Sequence, residues 1–523
     1  VAEQPQQLPA PLVLNIPPGI RRDGGFIEGD FTCVDGRWCR FDRGKPRKMN
    51  GYQKLVTLAN GPYQTMLASD KTAGPGIYLG SIEALDYVRL QGTTPTAPID
   101  RTPAAYTADA RTLWQFDQIY QPSGSASLII AHPGLNLADI AQTEDSPLYY
   151  ASNNDTSQFA PLSPSDGVNT LTGVSGGVVI LHPYAFYYGN DGYATWSVPG
   201  EPNDLTVADG GGGFAGARIC ESKVVRGLPY RGGPGNAPAG LFWSLNALVR
   251  ATFVGSTNVF NFDTISNDIT VLSSSAILEY DGAFYWVGTD RFYFYNGVVR
   301  DWPNLLNKDF FWDNLNRAYA QKVYMFKVPR RGEIWICFPR GQSTFCNWAI
   351  IFNVLNNSWY DTELPTYGRS AGVAAQVLGY PYMVAAEDAT PDAATASYGL
   401  WQHETGLDEV DGSTLNAIYS YFTTGNLSRT DQQSNKALQV QMVEPDFVQT
   451  GTLNLFIEGR ANARAPNVET GPFPFDEATQ AVHPKTARRF LQFKVESNEV
   501  GGSYLMGTPI AHLRDTGGRS TTS

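Results

Sequence analysis

"YDGAFYWVGTDRFYFYNG", residues 280–297, is the stretch on which the fold reading turns. Asp281-Gly282 and Asn296-Gly297 are dipeptides that accept the positive φ demanded by tight hairpin turns. Between them Ala283–Val287 reads as a strand, Gly288–Asp290 as a turn and Phe292–Tyr295 as the return strand. The same plan of aromatic strand, turn and strand recurs in residues 76–90, 113–134, 182–204, 240–255, 332–361 and 379–403. The returning strands come at roughly 45–60 residues, a blade-like rather than solenoid period. About seven units fit a radial array of small four-stranded sheets. A series of β-sandwiches is the alternative.

Outward from the repeats the texture changes. After about residue 412 the strands lengthen and alternate without the hairpin unit, as in "ALQVQMVEPDFVQTGTLNLFIEGR", which predicts a separate small β domain. The Pro/Gln-rich start reads as an extended arm; its Leu12, Val13, Leu14 and Ile16 need a surface to lie on, the chain's own or a neighbour's. The tail "DTGGRSTTS" is expected to be flexible. One helix is predicted over 307–323, with Phe311, Leu315 and Tyr319 on one face. The expected fold is all-β: a β-propeller of about six to seven blades over 35–412, an N-terminal arm over 1–34 and a C-terminal β domain over 413–523.

Composition agrees. The chain has 523 residues, 12% aromatic and only 17% charged, with 52 Gly and 34 Pro, a mixture that favours strands and turns. Its length predicts more than one core or one large closed architecture. No 18-residue apolar run offers a membrane span, and no charged leader suggests a signal peptide. Cys33, Cys39, Cys220, Cys337 and Cys346 are odd in number and scattered, which argues for reduced thiols and a cytoplasmic origin. No histidine stands at zinc-ligand spacing from a cysteine, so no structural metal is expected. The formal net charge of −12 makes general nucleic-acid binding unfavourable.

Several motifs imitate catalytic ones. "GVSGG" (173–177) has the serine-hydrolase spacing, but Ser175 is followed by an apolar strand where the elbow needs a helix. "GGGFAG" (211–216) has dinucleotide-loop spacing without a following helix or a suitable acid. "GNDGYATW" (189–196) resembles the Asp-box turn of sialidase propellers, with Asp191 out of register by one. His132, His182 and His483 each precede proline and read as packed strand-end residues. Glycosidase chemistry needs two carboxylates at about 5–9 Å; Glu279, Asp281 and Asp290 suit hairpin turns better. No catalytic, cofactor or metal residue is therefore expected.

"DGRWCRFDRGKPRKMNGYQ" (35–53) concentrates positive charge in an acidic chain. It parses as strand, "DRG" turn and strand, with Trp38 and Arg40 on one face and Arg37, Cys39 and Phe41 on the other. The bland reading is a solvated hairpin with basic stems over aromatics. The sharper one is a contact surface against an acidic neighbour subunit or a phosphate backbone, carried by Arg37, Arg40, Arg43, Lys45, Arg47 and Lys48.

"IPPGIRRDGG…VDGRWCRFDRGKPRKMNGY", "SGGVVILHPYAFYYGNDG", "EYDGAFYWVGTDRFYFYNG" and "GEIWICFPRG…AIIFNVLNNSWYD" together resemble virion proteins of short-tailed bacteriophages, the tail-nozzle or packaged-DNA stabilisation family. The likeness covers most of residues 15–365 and fades beyond. It implies a propeller-bearing subunit, six copies of which form a ring beneath the portal and adaptor, close the head and continue the channel for double-stranded DNA. Tail fibre or needle proteins are further implied neighbours, and the implied location is the virion. No enzyme activity is implied. The basic hairpin then becomes an expected contact with the adaptor or the next subunit. Two other classes remain open: a carbohydrate-binding propeller, for which sequons at Asn154, Asn356 and Asn426 are available, and a polysaccharide-degrading one.

Overall fold

The computed structural model describes all residues except 1–9, 26–30, 71–73, 92–93, 122–126, 155, 231–236, 256–258, 391–394, 428–436, 463 and 517–523. The first nine residues of the arm and most of the tail thus lie outside the described residues. About half of the chain is strand and very little is helix, and seven of its sheets follow one another along the chain as blades.

In blade 5 the opening motif folds as its residue types dictate. Ile277–Tyr280, Ala283–Val287, Phe292–Tyr295 and Val299–Asp301 pair in sequence order. Asp281 and Gly282 take φ of 52° and 78°, and Gly297 takes 110°. Successive side chains on a strand point to opposite faces. Here Phe284 and Trp286 pack toward blade 4, against Leu241, Trp243 and Leu248. Tyr285 and Val287 pack toward blade 6, against Met325, Ile334 and Ile336. Both faces are buried between blades, which is why these strands read as aromatic throughout.

Blades 2, 3, 4 and 6 repeat this four-stranded plan, beginning at Leu113–Tyr120, Gly177–Leu181, Val224–Pro229 and Tyr324–Val328. Blade 1 begins at Tyr63–Ser69, with an extra two-residue strand at its edge. Blade 7 has three consecutive strands, Ala371–Ala374, Pro381–Val384 and Tyr398–His403. Its fourth comes from the other end of the propeller: Tyr52–Leu58 pairs antiparallel with Tyr398–His403. Seven apolar cores, one between each pair of neighbouring blades, complete the circle. The all-β propeller is seven-bladed, and its own N-terminal strand closes it.

A further β domain is composite. Ala10–Val13 pairs with Ile510–Thr516, Asp35–Arg37 with Ser420–Thr423, and Lys45–Lys48, the partner of Cys39–Asp42, meets Ser503–Met506. Residues 35–48, expected in the propeller, are therefore strands of this domain, whose other strands are Ala10–Val13 and those from residue 420 onward. The arm lies on its own chain: Leu14, Ile16 and Ile20 are buried in the core shared by this domain and blades 6 and 7. The long edge strand Val468–Phe475 carries Pro472 and Pro474, which removes backbone donors from an edge open to pairing.

The predicted helix is shorter than expected. It runs over Lys308–Asn314 and gives way to a 3-10 segment, Arg317–Lys322. Phe311 and Leu315 are buried, whereas Tyr319 is exposed, because Leu315 has already turned to extended geometry. All five cysteines are free thiols. No helix among the described residues is long and apolar enough to cross a membrane.

Candidate functional site

The basic hairpin is the densest cluster of charge, and its six cations divide into two groups. A left-handed Trp38 (φ 50°) separates Asp35–Arg37 from Cys39–Asp42, so the simple alternation across residues 37–41 does not hold. Trp38, Cys39, Arg40 and Phe41 are all buried. The "DRG" turn is present, with Arg43 and Gly44 at positive φ.

Arg40 is 2% exposed. Its Nη1 and Nη2 donate to the two carboxylate oxygens of Glu404 at 2.6 Å each, and Nε lies 2.9 Å from Glu333 Oε1. Glu333 also accepts from Trp335 Nε1 at 2.9 Å and Tyr360 OH at 2.7 Å. Arg331 contacts Glu404 at 3.2 Å and donates to Asn50 Oδ1 at 2.8 Å. Burial opposes the charge on Arg40, but Glu333 and Glu404 outweigh it and raise the guanidinium above its ordinary value. Burial pushes Glu333 up against the pull of Arg40. Burial pushes on Glu404 as well, yet Arg40 and Arg331 together hold it low. Arg40 thus ties the composite domain to blades 6 and 7.

Lys48 is also internal, donating to Gly502 O at 2.8 Å and to Ser497 Oγ at 3.4 Å. Burial lowers its pKa to about 8, with Asp408 opposing. Arg37 is half-exposed and paired with Glu363 at 3.2 Å. Arg43 is exposed, Lys45 donates to Asn15 Oδ1 at 2.8 Å, and Arg47 pairs with Asp42 at 2.6 Å. The outward group is therefore Arg43, Lys45 and Arg47, with Arg37 beside a cleft.

That cleft, about 510 Å³, opens between blade 6 and the composite domain. Sequence reasoning missed most of its polar residues. Arg22 bridges Asp35 at 2.6 Å and the buried Asp361 at 3.0 Å, and Trp348 Nε1 donates to Asp361 at 3.0 Å. Burial pushes Asp361 up while Arg22 opposes. Tyr421 OH donates to Asp35 at 3.1 Å, and Tyr419 OH donates to Glu496 at 2.8 Å. Lys494 contacts Glu469 at 3.1 Å, and Glu458 accepts from Asn467 at 2.7 Å. These carboxylates are engaged by cations, phenols or amides, an arrangement suited to holding two bodies together. The available signal was a charge in a strand that otherwise reads as core, such as Asp361 in "SWYDTE" and Glu333 in "EIWICF".

The imitative motifs fold as loops and turns. Ser175 is buried, donates to Asn190 Oδ1 and precedes the strand Gly177–Leu181. Residues 211–216 lead into the strand Ala217–Arg218, not a helix. Glu279 accepts from the Gly282 N–H at 2.8 Å, and Asp290 pairs with Arg291 at 3.1 Å. Of the three histidines only His132 is packed; His182 and His483 are exposed. Among the described residues no group of three His, Cys, Asp or Glu is placed to hold a metal ion.

No family model matches the chain, and no curated protein is significantly similar to it.

Proposed function

We propose that this chain is a structural subunit of a bacteriophage short tail. In this reading a ring of copies, six by the resemblance, sits below the portal and adaptor, closes the head, retains the packaged DNA and forms the channel for its ejection. The observation that carries the reading is the placement of the cations. The chain has 50 Asp and Glu against 38 Lys and Arg. Several of those cations are turned inward: Arg40 and Arg22 bind buried carboxylates, and Lys48 and Lys223 are buried among neutral oxygens. A conduit wall of this kind offers duplex few points of attachment, so the genome slides without being held. A closed propeller and a proline-guarded edge also suit many copies packed side by side without strand-to-strand aggregation.

Two measurements on the purified protein test this. Negative-stain images or native mass should give a six-fold ring. Anisotropy of a labelled 30-base-pair duplex at physiological salt should give no binding tighter than about 10⁻⁴ M, the weak end of non-specific affinity. A monomer that cuts or binds a glycan would instead favour the second reading, a carbohydrate-handling propeller. The observation on its side is the polar cleft, in which Tyr419 and Tyr421 lie 5.3 Å apart beside planar polar side chains.

A further inference from the structure

Between Arg111 and Arg218 the sequence contains ten Asp and Glu and no Lys or Arg. This stretch is blades 2 and 3 with their loops. Its net charge is thus −10, against −12 for the whole chain. The asymmetry has a definite place in the fold. In each consecutive four-stranded blade the connections between first and second strands and between third and fourth strands emerge on one rim. On blade 3 the third-to-fourth connection runs from Trp196 to Ala217 and carries Glu201, Asp204 and Asp209. The loop after blade 2 joins it: Leu205 N donates to Ser165 O at 2.8 Å, and Phe214 N donates to Asp166 at 3.3 Å. Glu201 and Asp209 are exposed, and none of these four carboxylates pairs with a cation among the described residues. Two large aliphatic side chains stand out among them, Val168 at 87% exposure and Val207 at 64%.

The tip of the basic hairpin has the converse chemistry. Phe41 O accepts from Asn356 Nδ2 at 2.8 Å, which fixes the hairpin to the third-to-fourth connection of blade 6. Arg43 is exposed there and makes no ion pair among the described residues. Leu355, next to Asn356, is 76% exposed. The hairpin tip therefore sits at the third-to-fourth connection of blade 6, and the acidic patch at that of blade 3 with the inter-blade loop bonded to it, three blades apart in a ring of seven. Blades 4 and 5 stand between them on one side, so within one chain they do not meet.

We propose that the Arg43–Lys45 tip with Leu355 docks on the acidic rim of blades 2 and 3 with Val168 and Val207 of a second copy of this chain. The contact is head-to-tail, which generates a ring when the rotation closes. Its aliphatic centre with charged surroundings is the usual anatomy of a specific interface, and the opposed charges set its register and speed its formation. The inference rests on the ring reading above and assigns the surface that builds it.

The test is a charge swap read by sedimentation velocity at low and high salt, with thermal melts as the check on folding. Arg43→Glu with Lys45→Glu changes the tip and spares Arg47, which is paired within the hairpin. Glu201→Lys with Asp209→Lys changes the rim and spares Asp166 and Asp204, whose carboxylates hold turns. The unaltered chain should assemble, and assembly should weaken with salt. Each double variant should melt as the parent does and self-associate on the order of tenfold more weakly. The fourfold variant, with both patches reversed, should regain assembly. Rings from the unaltered chain and equally from both double variants would place the contact elsewhere, overturning this inference and leaving the ring reading standing. A fourfold variant that stays dissociated would also overturn it. So would a tip variant that loses only duplex binding, which would make the hairpin a phosphate contact. A parent chain that remains monomeric at every concentration would overturn both readings.

Discussion

Arg40 and Arg43 lie three residues apart in one basic hairpin and meet opposite surroundings. Arg40 is enclosed with Glu333 and Glu404; Arg43 occupies a left-handed turn position in solvent. Removing one member of a buried charge cluster leaves its partners uncompensated, a loss of about 3–5 kcal/mol. Arg40→Ala should therefore lower the urea midpoint steeply, whereas Arg43→Ala should stay within about 0.5 kcal/mol of the parent. Equal midpoints for the two would mean that the buried cluster contributes no stability. His132 supplies a pH signature. Burial, with Val174 O opposing and Lys223 assisting, lowers its imidazole from 6.5 to about 4. Between those values the unfolded chain takes up a proton that the folded chain refuses. Stability from this group is thus complete above about pH 6.5 and is lost as pH falls toward 4, by on the order of 3 kcal/mol. His132→Gln has no such proton to refuse, so the urea-midpoint gap between it and the parent should shift in the variant's favour between pH 7 and pH 4.5. A gap that stays constant would show that His132 is not responsible for acid lability.

At the scale of elements, the blades were legible because their information is local. Asp281-Gly282 needs only its own residue types to specify a turn, and the aromatic strands beside it pair with their immediate neighbours in sequence. What was illegible depends on distant partners. Nothing within residues 35–48 reveals that Arg37 will face Tyr421 across a strand pair or that Arg47 will face Leu505. The hairpin was visible, but the sheet it joins was not. The same limit divides the six hairpin cations. Their concentration was plain in the sequence, but alternation could not tell Arg40 and Lys48 from Arg43 and Lys45, because the left-handed Trp38 breaks the alternation and the carboxylates that bury Arg40 come from blades 6 and 7. The helix was over-extended for a related reason. Apolar spacing continued through Tyr319, while Leu315 bridges to Arg340 and leaves helical geometry.

For the molecule as a whole, the N-terminal segment acts as a clasp on two bodies. Tyr52–Leu58 supplies the fourth strand of blade 7, joining the first and last parts of the propeller. Upstream of it, Ala10–Val13, Asp35–Arg37, Cys39–Asp42 and Lys45–Lys48 are distributed over all three sheets of the composite domain. Neither body is complete without the segment, and its strands find their partners only after residues near 400 and 510 have been made. Contacts of such long sequence separation are slow to form, and until they form blade 7 presents an unpaired edge. A chain beginning at residue 59 should therefore expose that edge together with the core that Leu14, Ile16, Ile20 and Phe41 normally cover. The expected outcome is a broadened, lower-temperature melt with self-association. Residues 10–58 supplied separately should bind the shortened chain and restore much of the parent transition. Circular-dichroism melts and co-elution would measure both effects. A shortened chain that melts at the parent temperature and ignores the added segment would show that the ring and the β domain each hold together without the clasp.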